Sequence, residues 1–246
     1  MLSIIIPTLN EEKYLPLLLE HIKKQDFSDY EVIVADAGSK DQTVQIVKEY
    51  KHRVVKGGSV AYGRNQGAKV ARGELLLFID ADNIYLPDDF LSELVGEFKK
   101  KNCDIATFPL YIDGNRMDKM AFKVYNWWAK KLQRFKAYAT NSMIVKKEVF
   151  DRVGGFDESI TLAEDHDFAR RASKIGKFRY IEIDPILVSA RRMEKEGRIR
   201  LYSKYILAEI YMETFGPIKK DIFRYWKKNK QNEPGNTDKV AVSKKK

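Results

Sequence analysis

Two carboxylates on alternate residues, Asp80 and Asp82, directly follow the apolar run at residues 75–79. Carboxylate oxygens at this spacing are hard donors that can hold Mg²⁺ or Mn²⁺ while the diphosphate of a substrate completes the coordination shell. Aspartate is also common in the turn that ends a strand, so the pair by itself is compatible with a simple turn. Its position after the most apolar predicted strand favours a metal site.

A second acidic cluster, Glu164-Asp165-His166-Asp167, lies where a helix is predicted to begin. One of its carboxylates could act as a general base toward a hydroxyl group. The positive end of a helix dipole also stabilises carboxylates at a helix start, which is a structural reason for the same residues. His166 is better explained as a partly exposed helix residue than as a ligand.

Three further groups could bind a nucleotide or its phosphates. Asp36 ends a predicted strand, where its carboxylate could accept hydrogen bonds from the N–H edge of a nucleobase or cap a turn. Arg64, within Gly-Arg-Asn-Gln-Gly at 63–67, could face a phosphate or lie on a surface turn. Arg191 and Arg192 follow another predicted strand and could neutralise a departing diphosphate or remain solvated.

Alternating strands and helices must position these residues. Strands are predicted at 2–6, 31–36, 53–56 and 74–79, and a helix follows each of the first three. Consecutive strand–helix units imply a mostly parallel sheet with right-handed crossovers, hence an α/β fold. Ligands of such sheets bind beyond the carboxyl ends of the strands. We therefore expect the polar side chains at these strand ends to converge on one crevice: Thr8, Asn10, Glu11, Asp36, Ser39, Asp80 and Asp82.

The second half of the chain is less regular. Its apolar runs predict strands at 104–112, 140–145, 178–183 and 186–190, and helices at 147–153, 163–175 and 198–215. A further helix carries an apolar stripe at helical spacing, formed by Met117, Met120, Ala121, Val124, Trp128, Leu132 and Phe135. Such a stripe more often faces a core than a partner, so we expect it to be buried. Tyr125 and Trp127 lie off the stripe, which leaves an acceptor or interface role open to them.

Composition excludes several classes of protein. Hydrophobic residues make up 44% and charged residues 33% of the 246 residues, as in a folded domain. One cysteine and three histidines exclude a disulfide framework and a thiolate or histidine zinc site. No apolar run reaches the roughly 18 residues of a membrane span, and residues 1–7 lack the basic start of a signal peptide, so we expect a cytoplasmic protein.

The basic character of the chain is concentrated near its C-terminal end. The formal net charge is +10, and residues 217–246 contribute +7 of it through ten Lys or Arg against three Asp or Glu. An enzyme of nucleic acid is expected to carry its basic surface on the folded body, so no nucleic-acid partner is predicted. Residues 217–230 are predicted to form a basic helix, and the remaining residues a disordered tail. This segment either contacts an anionic membrane surface at the inner face of the membrane or packs on the body with its lysines outward.

The chain resembles the family 2 glycosyltransferases of the GT-A fold in six segments that occur in the family's order. They are Ile-Ile-Pro-Thr-Leu-Asn-Glu-Glu at 5–12, Val-Ala-Asp-Ala-Gly-Ser-Lys-Asp-Gln-Thr at 34–43, Gly-Arg-Asn-Gln-Gly at 63–67, Leu-Phe-Ile-Asp-Ala-Asp at 77–82, Val-Gly-Gly-Phe-Asp-Glu at 153–158 and Glu-Asp-His-Asp-Phe at 164–168. We expect residues 1–216 to form a GT-A domain, with a nucleotide-sugar-binding half at 1–112 and an acceptor and catalytic-base half at 113–216.

The resemblance implies an inverting, metal-assisted transfer from a nucleotide-diphosphate sugar, with Mg²⁺ or Mn²⁺ as cofactor. It implies that Asp80 and Asp82 hold the metal, that Asp165 is the catalytic base and that residues 154–157 shape the acceptor side. The residues implied in nucleotide-sugar binding are Pro7, Thr8, Asn10, Glu11, Asp36, Ser39, Arg64, Asp80, Ala81, Arg191 and Arg192. The chain lacks Gln-x-x-Arg-Trp, the mark of processive members, which favours a single transfer per encounter.

Several alternatives stay open at this stage. The donor could be linked to UDP or to GDP, and the acceptor could be a glycan, a lipid-linked saccharide or a lipid phosphate. A catalytically inactive sugar-nucleotide-binding or scaffold module at a membrane surface is the second hypothesis. A nucleotidyltransferase is disfavoured, because the loop after the first strand, Pro-Thr-Leu-Asn-Glu-Glu, is acidic and contains no glycine.

Overall fold

The computed structural model of the protein describes residues 1–139, 142–220 and 222. Within them the strands are β1 (Leu2–Thr8), β2 (Tyr30–Asp36), β3 (Arg53–Lys56), β4 (Leu75–Phe78), β5 (Asn83–Tyr85), β6 (Ile105–Thr107), β7 (Leu110–Asp113), β8 (Met143–Lys146), β9 (Phe178–Tyr180) and β10 (Ile186–Ser189). The helices are α1 (Leu15–Lys23), α2 (Thr43–Glu49), α3 (Val60–Val70), α4 (Phe90–Lys100), α5 (Arg116–Leu132), α6 (Lys147–Val153), α7 (Glu164–Ser173), α8 (Arg191–Glu196) and α9 (Arg198–Phe215).

The strands form two sheets. In the described part of the chain, the central sheet has the order β3-β2-β1-β4-β8-β6-β9, and a smaller sheet has the order β5-β10-β7. β1 runs parallel to β2 and β4, and β2 runs parallel to β3, whereas β8 runs antiparallel to β4 and β6. The predicted α/β class with a mostly parallel central sheet is therefore confirmed.

β1 is buried on both faces of the sheet and leads into the first polar loop. It extends two residues beyond its predicted end, through Pro7 to Thr8. Proline is tolerated here because the pairing with β4 stops at Ile5 opposite Phe78, so no bond of that ladder needs the missing N–H. The extension brings Thr8 into register with Asp36, the last residue of β2.

Two glycines let α3 approach the central sheet closely. A Cβ atom on Gly67 would lie 2.4 Å from Cγ2 of Ile5, and one on Gly63 would lie 3.3 Å from Cβ of Ala35. These glycines therefore serve packing between helix and strands, although glycine in a helix costs about 1 kcal/mol of helix propensity. The close approach carries Arg64, which follows Gly63, to the ends of the strands.

The predicted strand at 104–112 is wrong as a single element. The structure divides it into β6, in the central sheet, and β7, in the smaller sheet. Pro109 lies between the two strands and has no N–H to continue a ladder. β7 lies at the edge of the smaller sheet, beside β10. The side chain of Asn126 bonds the backbone of Leu110 in β7, accepting from the Leu110 amide at 3.3 Å and donating to the Leu110 carbonyl at 2.8 Å.

The prediction that the apolar stripe of α5 faces the core is also wrong. Met117, Met120, Val124, Trp128 and Phe135 keep between 48% and 87% of their surface exposed. The buried side of the helix carries Asp118, Asn126 and Ala129 instead. Polar contacts fix this orientation, since Asp118 accepts from Nε of Arg198 at 2.8 Å and from the hydroxyl of Tyr202 at 2.9 Å.

Some elements were not predicted, and some predictions lie outside the described residues. β5, α4 and α8 have no counterpart among the predicted elements. The basic helix predicted from residue 217 does not begin there, because residues 217–220 are not helical and Ile218 forms an isolated β-bridge with Leu162. Apart from residue 222, the rest of that helix and the predicted tail lie outside the described residues. The first two residues of the strand predicted at 140–145 also lie outside them. None of the described helices combines the length and the hydropathy that crossing a bilayer requires.

Candidate active site

The loops that follow β1 and β2 are tied together by hydrogen bonds around Asp36. The amides of Gly38 and Ser39 each donate to Oδ2 of Asp36 at 2.9 Å. The Ser39 hydroxyl donates to Oδ1 at 2.5 Å, and the Thr8 hydroxyl donates to the same oxygen over a longer 3.4 Å. Asn10 has a positive φ of 55°, and its backbone N–H donates to Oγ of Ser39 at 2.8 Å. The carboxylate of Asp36 is thus held rigidly at the strand ends.

A second group joins Glu11 to Arg191, which begins α8. Nη2 of Arg191 donates to Oε1 of Glu11 and lies 3.7 Å from Oδ2 of Asp82. The guanidinium also lies over the ring of Tyr14, 4.7 Å from its centroid. The other carboxylate oxygen of Glu11, Oε2, is buried and has no hydrogen-bond partner within the described residues. Burial raises the pKa of Glu11, and Arg191 opposes this shift.

A third group centres on Arg64, whose side chain is only 1% exposed. Its Nη2 lies 2.9 Å from Oδ1 of Asp80, and its Nη1 lies 3.0 Å from Oε1 of Glu164. The guanidinium carbon is 5.2 Å from the ring centroid of Phe156. Arg64 therefore joins the end of β4 to the beginning of α7, which bears Asp165.

The start of α7 is acidic and partly buried. Ala163, the residue before the helix, has a positive φ of 61°, an uncommon conformation for a residue with a Cβ atom. Burial raises the pKa of both Glu164 and Asp165, and the charge of Arg64 opposes the rise. The amide of His166 donates to Oδ1 of Asp165 at 2.8 Å. Burial lowers the pKa of the His166 imidazole to about 4, so this side chain is neutral at physiological pH.

The site holds more negative than positive charge. Burial, together with the charges of Asp80 and Glu11, raises the pKa of Asp82 to about 7 despite the opposing charge of Arg191. The carboxylates grouped at these strand and helix ends are Glu11, Asp80, Asp82, Glu164 and Asp165, and the arginines that contact them are Arg64 and Arg191. Such a surplus of carboxylate favours the binding of a cation.

The donor set fits a divalent cation only when a substrate supplies further oxygens. Among the described residues, no group of three or more His, Cys, Asp or Glu side chains is arranged to hold a metal ion. Asp80 and Asp82 supply two carboxylates, and Mg²⁺ is commonly held by one or two carboxylates together with substrate phosphates. The residues present therefore fit a metal ion that arrives with a diphosphate.

The loop that contains Phe156 is held by Asn65, the residue after Arg64. The Asn65 amide donates to the Phe156 carbonyl, and the Phe156 amide donates to Oδ1 of Asn65, both at 2.9 Å. A Cβ atom on Gly155, where φ is 71°, would lie 2.6 Å from the same Oδ1. The guanidinium of Arg171 holds the other side of the loop through the carbonyls of Val153 and Gly155. This loop belongs to the segment predicted to shape the acceptor side.

The remaining predicted residues lie at the margin of the site or outside it. Pro7 pairs with Ala35 within the sheet, and Ala81 is buried in a core cluster. Nε of Arg192 lies 3.1 Å from Oε1 of Glu196 in the same helix, whereas Arg191 contacts Glu11 and lies 3.7 Å from Asp82.

Sequence reasoning included Glu164 only among the candidate general bases, did not predict its pair with Arg64, and assigned no role to Asn65. Both occur in the quoted segments, yet their partners Arg64 and Phe156 are about ninety to a hundred residues away along the chain. The only signal in the sequence was that these segments occur together in the order typical of the family. The spacing of residues within one segment does not show which residue of another segment it contacts.

A mostly parallel sheet of this strand order, with a carboxylate pair after β4 and an acidic helix start across from it, is the architecture of GT-A glycosyltransferases. Residues 3–155, more than half of the chain, match the family model described as glycosyl transferase family 2. The chain therefore belongs to this family of sugar-transferring enzymes.

Individual relatives resemble different shares of the chain. The Staphylococcus aureus poly(ribitol-phosphate) beta-N-acetylglucosaminyltransferase TarS is 33% identical over 132 residues, which are 49% of this chain and 23% of that protein. An uncharacterized glycosyltransferase of Methanocaldococcus jannaschii is 26% identical over 228 residues, 84% of this chain and 78% of the relative. The chain thus spans about a quarter of the length of the first relative and most of the second.

Solved structures show the same fold. The S. aureus TarS structure in complex with UDP-GlcNAc has a TM-score of 0.64 and 25% identity, over 76% of this chain and 58% of that one. A mannosyltransferase of Pyrobaculum calidifontis in complex with GDP-Man and Mn²⁺ has a TM-score of 0.67 and 21% identity, over 86% and 63% of the two chains. Both likenesses confirm the arrangement of the sheet and its helices.

Proposed function

We propose that this protein is an inverting, non-processive glycosyltransferase. It moves a sugar from a UDP- or GDP-linked donor to an acceptor hydroxyl or a lipid phosphate. The single observation that carries the proposal is the buried Arg64, which holds Asp80 of the donor side and Glu164, next to Asp165, within one site. Membership of family 2 and the UDP-GlcNAc bound by the S. aureus neighbour support the class of donor.

The nucleoside of the donor binds at the ends of β1 and β2. Asp36 is fixed by the amides of Gly38 and Ser39, so its carboxylate presents an acceptor in one orientation. The long 3.4 Å contact from Thr8 is the weakest of its hydrogen bonds and is the one that a nucleobase N–H replaces at least cost. The hydrogen bond between Asn10 and Ser39 fixes the distance between the loops after β1 and β2, and the nucleobase binds between these loops.

The diphosphate binds beside Asp80, Asp82 and Arg191 at the ends of β4 and β10. Asp80 and Asp82 are the residues that hold Mg²⁺ or Mn²⁺, and the metal ion, when bound, neutralises charge on the diphosphate. Arg191, 3.7 Å from Asp82, supplies a second positive group toward the leaving nucleoside diphosphate. To contact the diphosphate, Arg191 must first leave its ion pair with Glu11. The negative charges of Glu11 and Asp82 keep the guanidinium close to the site in the meantime.

Asp165 acts as the general base. Burial raises the pKa of Asp165 toward neutrality. A carboxylate with such a pKa is still largely ionised before the reaction and is basic enough to take a proton from a hydroxyl group. The acceptor oxygen attacks the anomeric carbon on the face opposite the nucleoside diphosphate, the bond to the leaving phosphate oxygen breaks, and the acceptor proton passes to the Asp165 carboxylate. This in-line displacement inverts the anomeric centre. His166 is neutral and buried and takes no part as a cation.

Isothermal titration with UDP, GDP and CDP, each with Mn²⁺ and with EDTA, tests the donor side. We expect metal-dependent binding of UDP or GDP that Asp82→Ala abolishes. Binding of none of the three under either condition would contradict the proposal and favour the scaffold hypothesis. A transfer assay with the donor sugar of the bound nucleotide then tests Asp165→Asn, whose donor binding should stay intact while transfer is lost.

A further inference from the structure

The outer side of α5 is an exposed apolar surface. In the described part of the chain nineteen large apolar side chains are exposed, and six of them fall within residues 117–135. These six define the α5 face: Met117, Met120, Val124, Trp127, Trp128 and Phe135. A contiguous apolar surface of this kind on a folded protein commonly marks an interaction site.

Buried contacts keep the α5 face turned outward. On the inner side, Asp118 is fully buried and pairs with Arg198 at 2.8 Å, and Asn126 bonds both backbone groups of Leu110. Rolling the helix to bury its tryptophans would expose Ala129 and break these bonds. The outward orientation is therefore a stable property of the fold.

The exposed charged residues that α5 itself contributes beside the α5 face are all positive. Asp118 is the one acidic residue of α5, and it is buried. The exposed charged residues within and directly after the helix are Arg116, Lys119, Lys123, Lys130, Lys131 and Arg134. Of these, Lys130 forms an ion pair with Glu182. Such a surface repels a second copy of itself and attracts an anionic partner.

A second apolar stripe lies on the neighbouring helix. The ion pair between Asp118 and Arg198 fixes the start of α9 beside α5, and Phe122 of α5 packs with Leu201 of α9 against one small core cluster. Ile199, Ile206 and Ile210, spaced for one side of α9, are 80%, 61% and 58% exposed.

We propose that the α5 face docks on an anionic lipid surface. Tryptophan, methionine and phenylalanine beside lysines are the composition of a helix that lies in the plane of a bilayer interface. The apolar side chains enter the acyl boundary, and the lysines contact the acidic headgroups. The α5 face contains no residue of the basic segment 217–246.

Docking of α5 would also bring the acceptor side of the site close to lipid, a consequence that rests on the proposed function. The hydroxyl of Tyr125, on the inner side of α5, donates to the carbonyl of Ala139. The ring of the preceding residue, Tyr138, lies 6.2 Å from the ring of His166, the neighbour of the proposed base Asp165. Vesicle binding requires neither donor nor acceptor. Its failure can therefore be distinguished from a failure of sugar transfer.

Tryptophan fluorescence of the full chain tests the proposal directly. The chain has three tryptophans, so Trp226→Phe leaves Trp127 and Trp128 as the only reporters. Vesicles of phosphatidylcholine with phosphatidylglycerol should shift the emission of this variant to the blue, and lipids with brominated acyl chains should quench it. Pure phosphatidylcholine vesicles should produce a much weaker effect.

Cosedimentation with the same vesicles gives the energetic test. Trp127→Ser combined with Trp128→Ser should lower the partition coefficient by about tenfold or more. Lys119→Gln and Lys123→Gln should each lower it roughly fivefold. Leu17→Ser, at an apolar residue of α1 that is 46% exposed, is the matched control and should leave binding unchanged.

Two results would overturn the proposal. Cosedimentation without a blue shift would assign membrane binding to another part of the chain, such as residues 217–246. A blue shift that grows with protein concentration in the absence of vesicles would assign the α5 face to self-association instead.

Discussion

Arg64 and Glu164 are separated by a hundred residues in the chain and form an ion pair of 3.0 Å, in which the arginine is 1% exposed. The same guanidinium pairs with Asp80 at 2.9 Å. A buried arginine between two carboxylates neutralises charge that would otherwise be costly to bury. The pair also joins the sheet, which holds the donor side, to α7, which carries Asp165.

Replacement of Arg64 by methionine should destabilise the fold by about 3–5 kcal/mol, because it leaves Asp80 and Glu164 without their buried partner. Urea unfolding monitored by circular dichroism measures the change. Arg72→Met is the matched control, since Arg72 is 73% exposed in its pair with Glu31, and this variant should lose less than about 1 kcal/mol. If both variants lose the same free energy of unfolding, the buried ion pairs of Arg64 contribute no more to stability than the exposed pair of Arg72.

Replacement of Asp82 by asparagine should stabilise the protein in the absence of metal and nucleotide. The folded state raises the pKa of Asp82 from 3.8 to about 7, so between these values it binds a proton that the unfolded chain has released. This group therefore lowers the free energy of unfolding as the pH rises through that window. The gain in Asp82→Asn should be on the order of 3 kcal/mol at about pH 8 and smaller at about pH 5.

Thermal unfolding of Asp82→Asn at the two pH values gives the measurement. Asp113→Asn, at an exposed aspartate that ends β7, is the matched control and should leave the unfolding temperature nearly unchanged. Under the proposed function the stabilised variant also loses metal-dependent donor binding. If Asp82→Asn is less stable than the wild type at alkaline pH, the ionised Asp82 carboxylate is not destabilising in the folded state, and the raised pKa is contradicted.

Replacement of Asp165 by asparagine should lower kcat by about 10²–10⁴-fold, the usual contribution of a general base. Because the fold raises the pKa of Asp165, kcat of the wild-type enzyme, measured with saturating donor and metal, should fall as the pH drops below that raised pKa. The asparagine variant should lack this acid limb. His166→Gln should retain it, since the imidazole pKa of about 4 makes His166 neutral across the range. Loss of the limb in His166→Gln would move the role of base to the histidine.

Alanine at two helical glycines should change stability in opposite directions. Gly67→Ala should cost about 1–3 kcal/mol, because its Cβ would lie 2.4 Å from Ile5 in the packed face of α3. Gly96→Ala should stabilise by about 0.5–1 kcal/mol, since its Cβ in α4 would meet no atom within 4 Å and alanine favours the helix. Chemical denaturation of both variants compares them. Stabilisation by Gly67→Ala would show that α3 can move away from the sheet at little cost.

Much of the first half of the fold could be predicted from the sequence because its signals are local. The bounds of β3 agree with the prediction, β2 begins one residue earlier than predicted, and β4 is one residue shorter at each end. Apolar runs of strand length, separated by amphipathic segments, leave few alternatives to a parallel sheet. Chain direction then places Asp36 and Asp80 at the same edge.

The second half was predicted less well because its contacts are distant in sequence. Residues 104–112 read as one apolar run, yet β7 pairs with β10, which lies more than seventy residues further along the chain. Pro109 marks the division, but only the partner strand shows which sheet each part joins. The periodicity of α5 was recognised correctly, and its burial was assigned to the wrong face.

The sequence by itself determined the α/β class, the order of most elements and the positions of carboxylates at strand ends, because backbone direction and apolar periodicity are properties of short segments. The tertiary structure alone decided which side of α5 is buried, through Asp118 and Arg198, and which carboxylate pairs with Arg64. It also decided that Asp82 has a pKa near 7, since that value depends on burial and on charges brought from other strands. Contacts and electrostatic interactions depend on distances in space, and these distances cannot be read from the separation of residues along the chain.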